Sequence, residues 1–215
     1  MMNVKTFQCN PLQENCFVVS DDESKEAVVI DCGAFYDAER RALAAYINDN
    51  GLLLRHVLCT HAHFDHVFGL DTLCAEFGIA PRLHAADVVI YDNFSQQMRL
   101  FLGSDYGLQL PPLGELLANG EQICFGQHHL RVMHTPGHSP GSVVFYDEAE
   151  KVLFSGDTLF RMGVGRTDLQ GGSWQQLMQS LHDVLATLPP DVKVYPGHGP
   201  ATTIGEEVRM NPYLR

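Results

Sequence analysis

Six consecutive residues, His61-Ala62-His63-Phe64-Asp65-His66, put four side chains able to ligate a metal into one turn. In an extended segment residues two apart point to the same side, so His61 and His63 can reach a single ion. Asp65 and His66, beyond the turn, point elsewhere, which predicts two adjacent metal positions. Three further residues are framed to complete them. His138 stands in Thr135-Pro136-Gly137-His138-Ser139-Pro140-Gly141, His198 in Pro196-Gly197-His198-Gly199-Pro200, and Asp157 follows an apolar run at Gly156-Asp157-Thr158. The two histidines are bracketed by proline and glycine, more constraint than a loop needs. Together the seven suffice for two ions that share a carboxylate and keep room for water. The other six histidines, His56, His84, His128, His129, His134 and His182, lack such framing and are assigned no role.

The elements around these residues alternate. Val4 to Phe7, Cys16 to Ser20 and Glu26 to Asp31 read as strands of an antiparallel meander. Asp31 ends the third, either beside a metal ligand or pinning the loop that follows. Asp37 to Asn50 is a helix with an acidic first turn, stopped by Gly51. Leu52 to Thr60 then reads as a buried strand leading into the six-residue cluster. Leu70, Leu73, Cys74 and Phe77 place a helix after it.

Residues 85–120 read as an insertion or lid of short helical fragments and glycine- and proline-rich turns. Its aromatic and sulfur side chains Tyr91, Phe94, Met98, Phe101 and Tyr106 either line a pocket or pack the insertion down. Strands follow at Gln122 to Phe125 and His129 to Met133, then a hairpin of Ser142 to Tyr146 and Lys151 to Ser155. Ser173 caps a helix whose core face is Trp174, Leu177, Leu181, Leu185 and Leu188, and Val192 to Tyr195 is the last clear strand. Each half thus offers strands, a helix and ligands at strand ends, without a fixed repeat.

The 215 residues suit one well-buried domain, and 45% hydrophobic with 19% charged residues suits a soluble globular chain. A formal charge of −12 would repel a phosphate backbone, so nucleic acid is not an expected partner. Neither a signal peptide nor a membrane span is legible, and the expected location is the cytoplasm. The six cysteines show no Cys-x-x-Cys spacing and read as buried thiols.

The pattern His-x-His-x-Asp-His followed at wide intervals by His, Asp and His resembles the signature of the metallo-β-lactamase superfamily. His61, His63, Asp65, His66, His138, Asp157 and His198 match it position by position. The resemblance implies an α/β fold, a four-layer αββα sandwich of mixed, mostly antiparallel sheets, with residues 1–215 as one domain. It also implies that His61, His63 and His138 hold one ion, that Asp65, His66 and His198 hold the other, and that Asp157 bridges. Asp157 in place of a cysteine departs from the common antibiotic-hydrolysing lactamases, and His63 in place of a glutamate departs from the diiron oxygen reductases. The stretches Thr60 to His63, Thr135 to Ser139, Ser155 to Phe160 and Pro196 to Gly199 are similar to the glyoxalase II group. Gly165-Arg166-Thr167-Asp168 and Asn211-Pro212-Tyr213-Leu214 are similar to its short bacterial members.

That likeness implies hydrolysis of a glutathione-type thioester such as S-lactoylglutathione by a hydroxide held between two divalent ions. Zinc is the first expectation, and iron or manganese would suit the same ligands. Asp65 and Asp157 are then the catalytic carboxylates. Arg166 either contacts substrate or pairs with Asp168. The chain stops soon after His198, without the helical domain that supplies basic glutathione-binding residues in full-length glyoxalase II. Two alternatives remain: a mononuclear iron persulfide dioxygenase using His61, His138 and Asp157, and a metal-binding protein without turnover. The oligomeric state is not legible.

Overall fold

The structure is a computed structural model that describes residues 1–214. The strands build two sheets, whose inner strands are buried on both faces while outer ones alternate between buried and exposed residues. In the first, β1 (Met2–Cys9), β2 (Glu14–Asp21), β3 (Glu26–Ile30), β4 (Leu53–Leu58) and β5 (Pro81–Arg82) lie in that order. The first three strands pair antiparallel, and β3–β4 and β4–β5 pair parallel. In the second sheet, β6 (Gln122–Phe125), β7 (His128–His134), β8 (Val143–Asp147) and β9 (Val152–Gly156) form an antiparallel meander. Beyond β9 lie β12 (Lys193–Pro196), parallel to it, and β13 (Thr202–Thr203). The short pair β10 (Leu159–Phe160) and β11 (Gly163–Val164) stands apart.

Alternate residues of each strand divide between layers. Phe17, Val19, Val28 and Ile30 meet Leu130, Val132, Phe145 and Phe154 between the two sheets. Their neighbours Val18, Val29 and Val57 face the other way, onto α1 (Asp37–Asp49), α2 (Phe64–Val67) and α3 (Leu70–Phe77). On the far side of the second sheet, Val144, Tyr146, Leu153 and Val194 take Leu177, Leu181 and Leu185. These leucines belong to α6 (Trp174–Gln179) and the π-helical turn Ser180–Leu185 that continues it, and α7 (Ile204–Met210) adds Ile204. The wider turn keeps side chains four apart nearly in line. The result is helix, sheet, sheet, helix, the expected αββα order.

Residues 85–120 are helical in their first part. A 3-10 turn at Ala85–Asp87 leads into α4 (Val88–Asp92) and α5 (Phe94–Leu102). Tyr91, Phe94 and Met98 are core residues, and the Tyr91 hydroxyl donates to the Pro111 carbonyl at 2.7 Å. Phe101 and Tyr106 stay exposed, Phe101 stacking on Phe64 with ring centroids 5.1 Å apart.

Two expectations are corrected. The strand before the histidine cluster is buried only at its end: Leu53 is half exposed, whereas Val57 and Leu58 are sealed. Only those last two residues pair with the two-residue β5, so the first half of β4 is an open edge. Trp174 is outside the core, half exposed and edge-on to Tyr213, because the helix starts before its apolar stripe reaches the sheet. Of the cysteines, five are buried and Cys124 is exposed. Among the described residues no helix is long and apolar enough to cross a membrane.

Candidate metal centre

The C-terminal ends of β4, β7, β9 and β12 all open at the same edge of the sandwich, and each delivers part of the site. After β4 the chain runs extended through His61 and His63, then turns into α2, which starts at Phe64 and carries Asp65 and His66. The loops after β7, β9 and β12 carry His138, Asp157 and His198. Backbone bonds between sheets fix the loops to one another: Val143 N–H donates to Thr60 O at 2.8 Å and Asn15 N–H to Gly197 O at 2.7 Å.

The structure brings all seven sequence-predicted residues together. Ring nitrogens of His61, His63 and His138 form one group, and Asp65, His66 and His198 form another. His138 Nε2 lies 2.8 Å from His63 Nδ1 and 3.2 Å from His61 Nε2. His198 Nε2 lies 3.2 Å from Asp65 Oδ2. Asp157 stands between the groups, Oδ2 at 3.6 Å from His138 Nε2 and 3.7 Å from His198 Nε2, and Oδ1 at 3.3 Å from His66 Nε2.

Four of the five imidazoles are oriented by their other nitrogen. His138 Nδ1–H donates to Arg166 O at 2.7 Å and His198 Nδ1–H to Leu12 O at 3.1 Å. His66 Nδ1–H donates to Asp31 Oδ2 at 3.0 Å. The Thr60 hydroxyl donates to that same oxygen at 2.7 Å, so it accepts from His61 Nδ1–H at 3.0 Å. Carbonyls and carboxylates only accept, so these four rings present Nε2 lone pairs to the centre. His63 is reversed and presents Nδ1.

The donor set fits divalent ions. His66 Nε2 and Asp157 Oδ1 are buried and make no aligned hydrogen bond, and lone pairs converge from both sides. Such a convergence of imidazole nitrogens and carboxylate oxygens is stabilised by a cation at its centre. Electrostatics divide the two groups. Burial, with the neighbouring histidines, holds His61 well below its ordinary value and His63 down at about 3. Burial opposes the charge on His66 as well, but Asp157, Asp65 and Asp31 outweigh it and push that ring well above the usual range. His198 is raised by Asp65 and Asp157 against its own burial. Asp65 and Asp157 are lowered by His66 and its neighbours despite burial, so both stand as carboxylates.

Of the two roles open to Asp31, the structure shows both at once. It has φ of 51°, a left-handed conformation that aspartate tolerates better than most residues. It is held there by Thr60, whose N–H donates to Oδ1 at 2.7 Å, while Oδ2 serves His66 and, through Thr60, His61. Three other polar residues went unremarked in the sequence. Asp87 accepts from Ala62 N–H at 2.9 Å, the Ser139 hydroxyl at 2.8 Å and Gly141 N–H at 2.5 Å, clamping the His61–His63 segment to the His138 loop. Asn10 Nδ2 donates to Asp65 O and Gly33 O, and Asn15 Nδ2 to Pro196 O and Gly199 O. A lone Asp or Asn in a polar stretch carries no spacing signal, because its partners are backbone groups far along the chain. Arg166 is exposed and binds Asp168 in a fork, Nε and Nη2 each 2.7 Å from a carboxylate oxygen.

Fold, ligand set and sequence agree on a class. Residues 9–198 match the family model described as "Metallo-beta-lactamase superfamily", and the chain belongs to that superfamily. It is 36% identical to the "Probable metallo-hydrolase YqgX" of Bacillus subtilis, over 99% of this chain and 98% of that one. It is 34% identical to "Hydroxyacylglutathione hydrolase GloC" of Haemophilus influenzae, again over 99% and 98%. Two solved structures superimpose closely. One is the BLEG-1 B3 metallo-beta-lactamase, with a TM-score of 0.89 and 38% identity over 100% of this chain and 99% of the other. The second, TTHA1623 in a di-iron-bound form, gives 0.84 and 41% identity over 98% and 100%.

Proposed function

We propose that this protein is a binuclear metal-dependent hydrolase of thioesters, of which a glutathione thioester such as S-lactoylglutathione is the first substrate to test. The observation that carries the reading is the pair of ligand triads converging on either side of Asp157. His61, His63 and His138 would hold one ion, Asp65, His66 and His198 the second, and Asp157 both. When bound, the ions supply a water whose pKa falls from 15.7 to about 7 and polarise the substrate carbonyl. The chain's own residues aim and stabilise that chemistry. Asp65, ionised and buried, offers an oxygen to accept the hydrogen bond of the attacking water. Asp31, the Thr60 hydroxyl and the carbonyls of Arg166 and Leu12 hold four of the imidazoles with Nε2 toward the centre and prevent their rotation.

Zinc is the proposed metal, on the strength of imidazole and carboxylate ligands that suit it, and the di-iron form of TTHA1623 makes iron the competitor. The name of GloC supports the thioester. The test is metal content by mass spectrometry on protein purified without added metal, paired with S-lactoylglutathione turnover on the same sample. Close to two ions per chain with turnover is the expected result. A single iron, no thioester turnover and oxygen uptake with a persulfide would replace the reading with a mononuclear dioxygenase.

A further inference from the structure

Beside His63 a cleft enclosing about 120 Å³ opens along α4, α5 and the loop after β11. Its apolar wall is Ile90, Leu100, Phe101 and Leu169, and the remainder is amide: Asn93, Gln96, Gln97 and Gln170. No Lys, Arg, Asp or Glu lines it, and its one titratable side chain is His63, which faces the metal centre. The nearest cations in sequence are committed elsewhere, Arg166 to Asp168 and Arg99 to Asp105 at 2.9 Å.

Two features of the wall call for an occupant. Leu100 is 77% exposed and Phe101 is 42% exposed, side by side at the mouth next to a metal ligand. Apolar surface left open in a cleft gains free energy when a ligand covers it. Gln97 spends its amide on Phe64 N–H and on the carbonyls of Ala62 and Ile90. The side-chain amides of Asn93, Gln96 and Gln170 make no hydrogen bond to any described residue, so each keeps a donor and an acceptor for a ligand.

We infer that this cleft holds the thiol-side arm of the thioester, and that this arm is uncharged, largely apolar and carries amide groups. The inference rests on the thioesterase reading above. A lactoyl-sized acyl group is too small and polar to cover Leu100 and Phe101, so the longer, thiol-derived arm is the one that reaches them. Glutathione carries two carboxylates and an ammonium, and the lining offers none of them a counter-charge. Neutral amides facing neutral amides lose no such energy, and the apolar wall favours methyl and methylene groups between them.

The experiment compares S-lactoylpantetheine, whose thiol arm is neutral and carries two amides, with S-lactoylglutathione on the metal-loaded full chain. The acyl group and scissile bond are the same in both. The expected result is a kcat/KM about tenfold or more higher for the pantetheine thioester, expressed in KM. Leu100→Lys, at a site exposed enough to leave the fold intact, should narrow that ratio by restoring a cation at the mouth. Equal or better turnover of the glutathione thioester would overturn the inference while leaving the hydrolase. Calorimetry with the S-propyl thioethers of the two thiols separates the remaining cases. Tighter binding of the pantetheine thioether without turnover of either thioester would keep the cleft assignment and reject the reaction, and no binding of either thioether would reject the cleft assignment.

Discussion

Asp157 faces a histidine of each triad, so its removal acts on both ion positions at once. Asp157→Ala should abolish both ions and activity together, measured by metal content after gel filtration; a variant that kept two tightly bound ions would disprove the shared role. Asp31 reaches one ring of each triad from behind, His66 directly and His61 through Thr60. Asn at this position keeps one accepting oxygen and the left-handed backbone, so Asp31→Asn should fold and lose roughly 10–100-fold in metal affinity, read by competition with a chromogenic chelator. The protonation pattern gives acid sensitivity a direction. Without metal, His66 and His198 lie above the ordinary histidine range, so protons compete for the second triad near neutrality. His63, down at about 3, competes only in strong acid. As pH falls, the Asp65–His66–His198 position should empty before the His61–His63–His138 position, and metal content after dialysis at descending pH should pass through one ion per chain. Loss of the two ions in a single step would contradict this ordering.

At the scale of elements, the site depends on loops pressed close together. A Cβ on Gly197 would overlap Asp157 Oδ1 and His66, and one on Gly165 would overlap the Asp157 carbonyl and crowd His138. Gly197→Ala is therefore expected to displace the bridging carboxylate and cost metal while leaving both sheets folded, seen as retained far-ultraviolet circular dichroism with lost metal. The clamp at Asp87 works in the opposite sense, holding two loops by attraction. Burial pushes its carboxyl up, and the bonds from Ser139, Ala62 and Gly141 pull it back. Asp87→Ala strands three buried donors. At about 1–3 kcal/mol for each unsatisfied group, the metal-free protein should lose about 3 kcal/mol or more in urea unfolding. The His61–His63–His138 position should also weaken more than the other.

For the whole molecule, the ligands come from both sheets, so metal binding ties the two layers together at one edge. Any ligand that binds only the folded state stabilises it, by about 2.7 kcal/mol when free ion exceeds Kd a hundredfold. Thermal unfolding with and without chelator should show that dependence in the wild type, and Asp157→Ala should lack it. The inter-sheet core supplies the metal-independent part. Phe154 packs against Phe17 with centroids 5.2 Å apart and against Tyr195 at 5.4 Å, and Phe154→Ala should cost about 3–5 kcal/mol whether or not metal is present.

The sequence by itself determined the seven residues that converge at the site and the layered plan. His61 to His66 announce themselves through composition and spacing. Brackets of glycine and proline mark His138 and His198, and the apolar run Val28–Ile30 and the helical spacing of Leu177, Leu181 and Leu185 place sheet and helix. These signals are local, written within a few residues of where they act. What the tertiary structure decided is long-range. It made Asp31, Asp87, Asn10 and Asn15 the residues that hold the site, because their partners lie 23 to 184 residues away along the chain and are in part backbone groups that no side-chain pattern reports. The exposure of Trp174 and Leu53 was settled in the same way, since an amphipathic stripe records which face turns inward but not where the neighbouring layer ends.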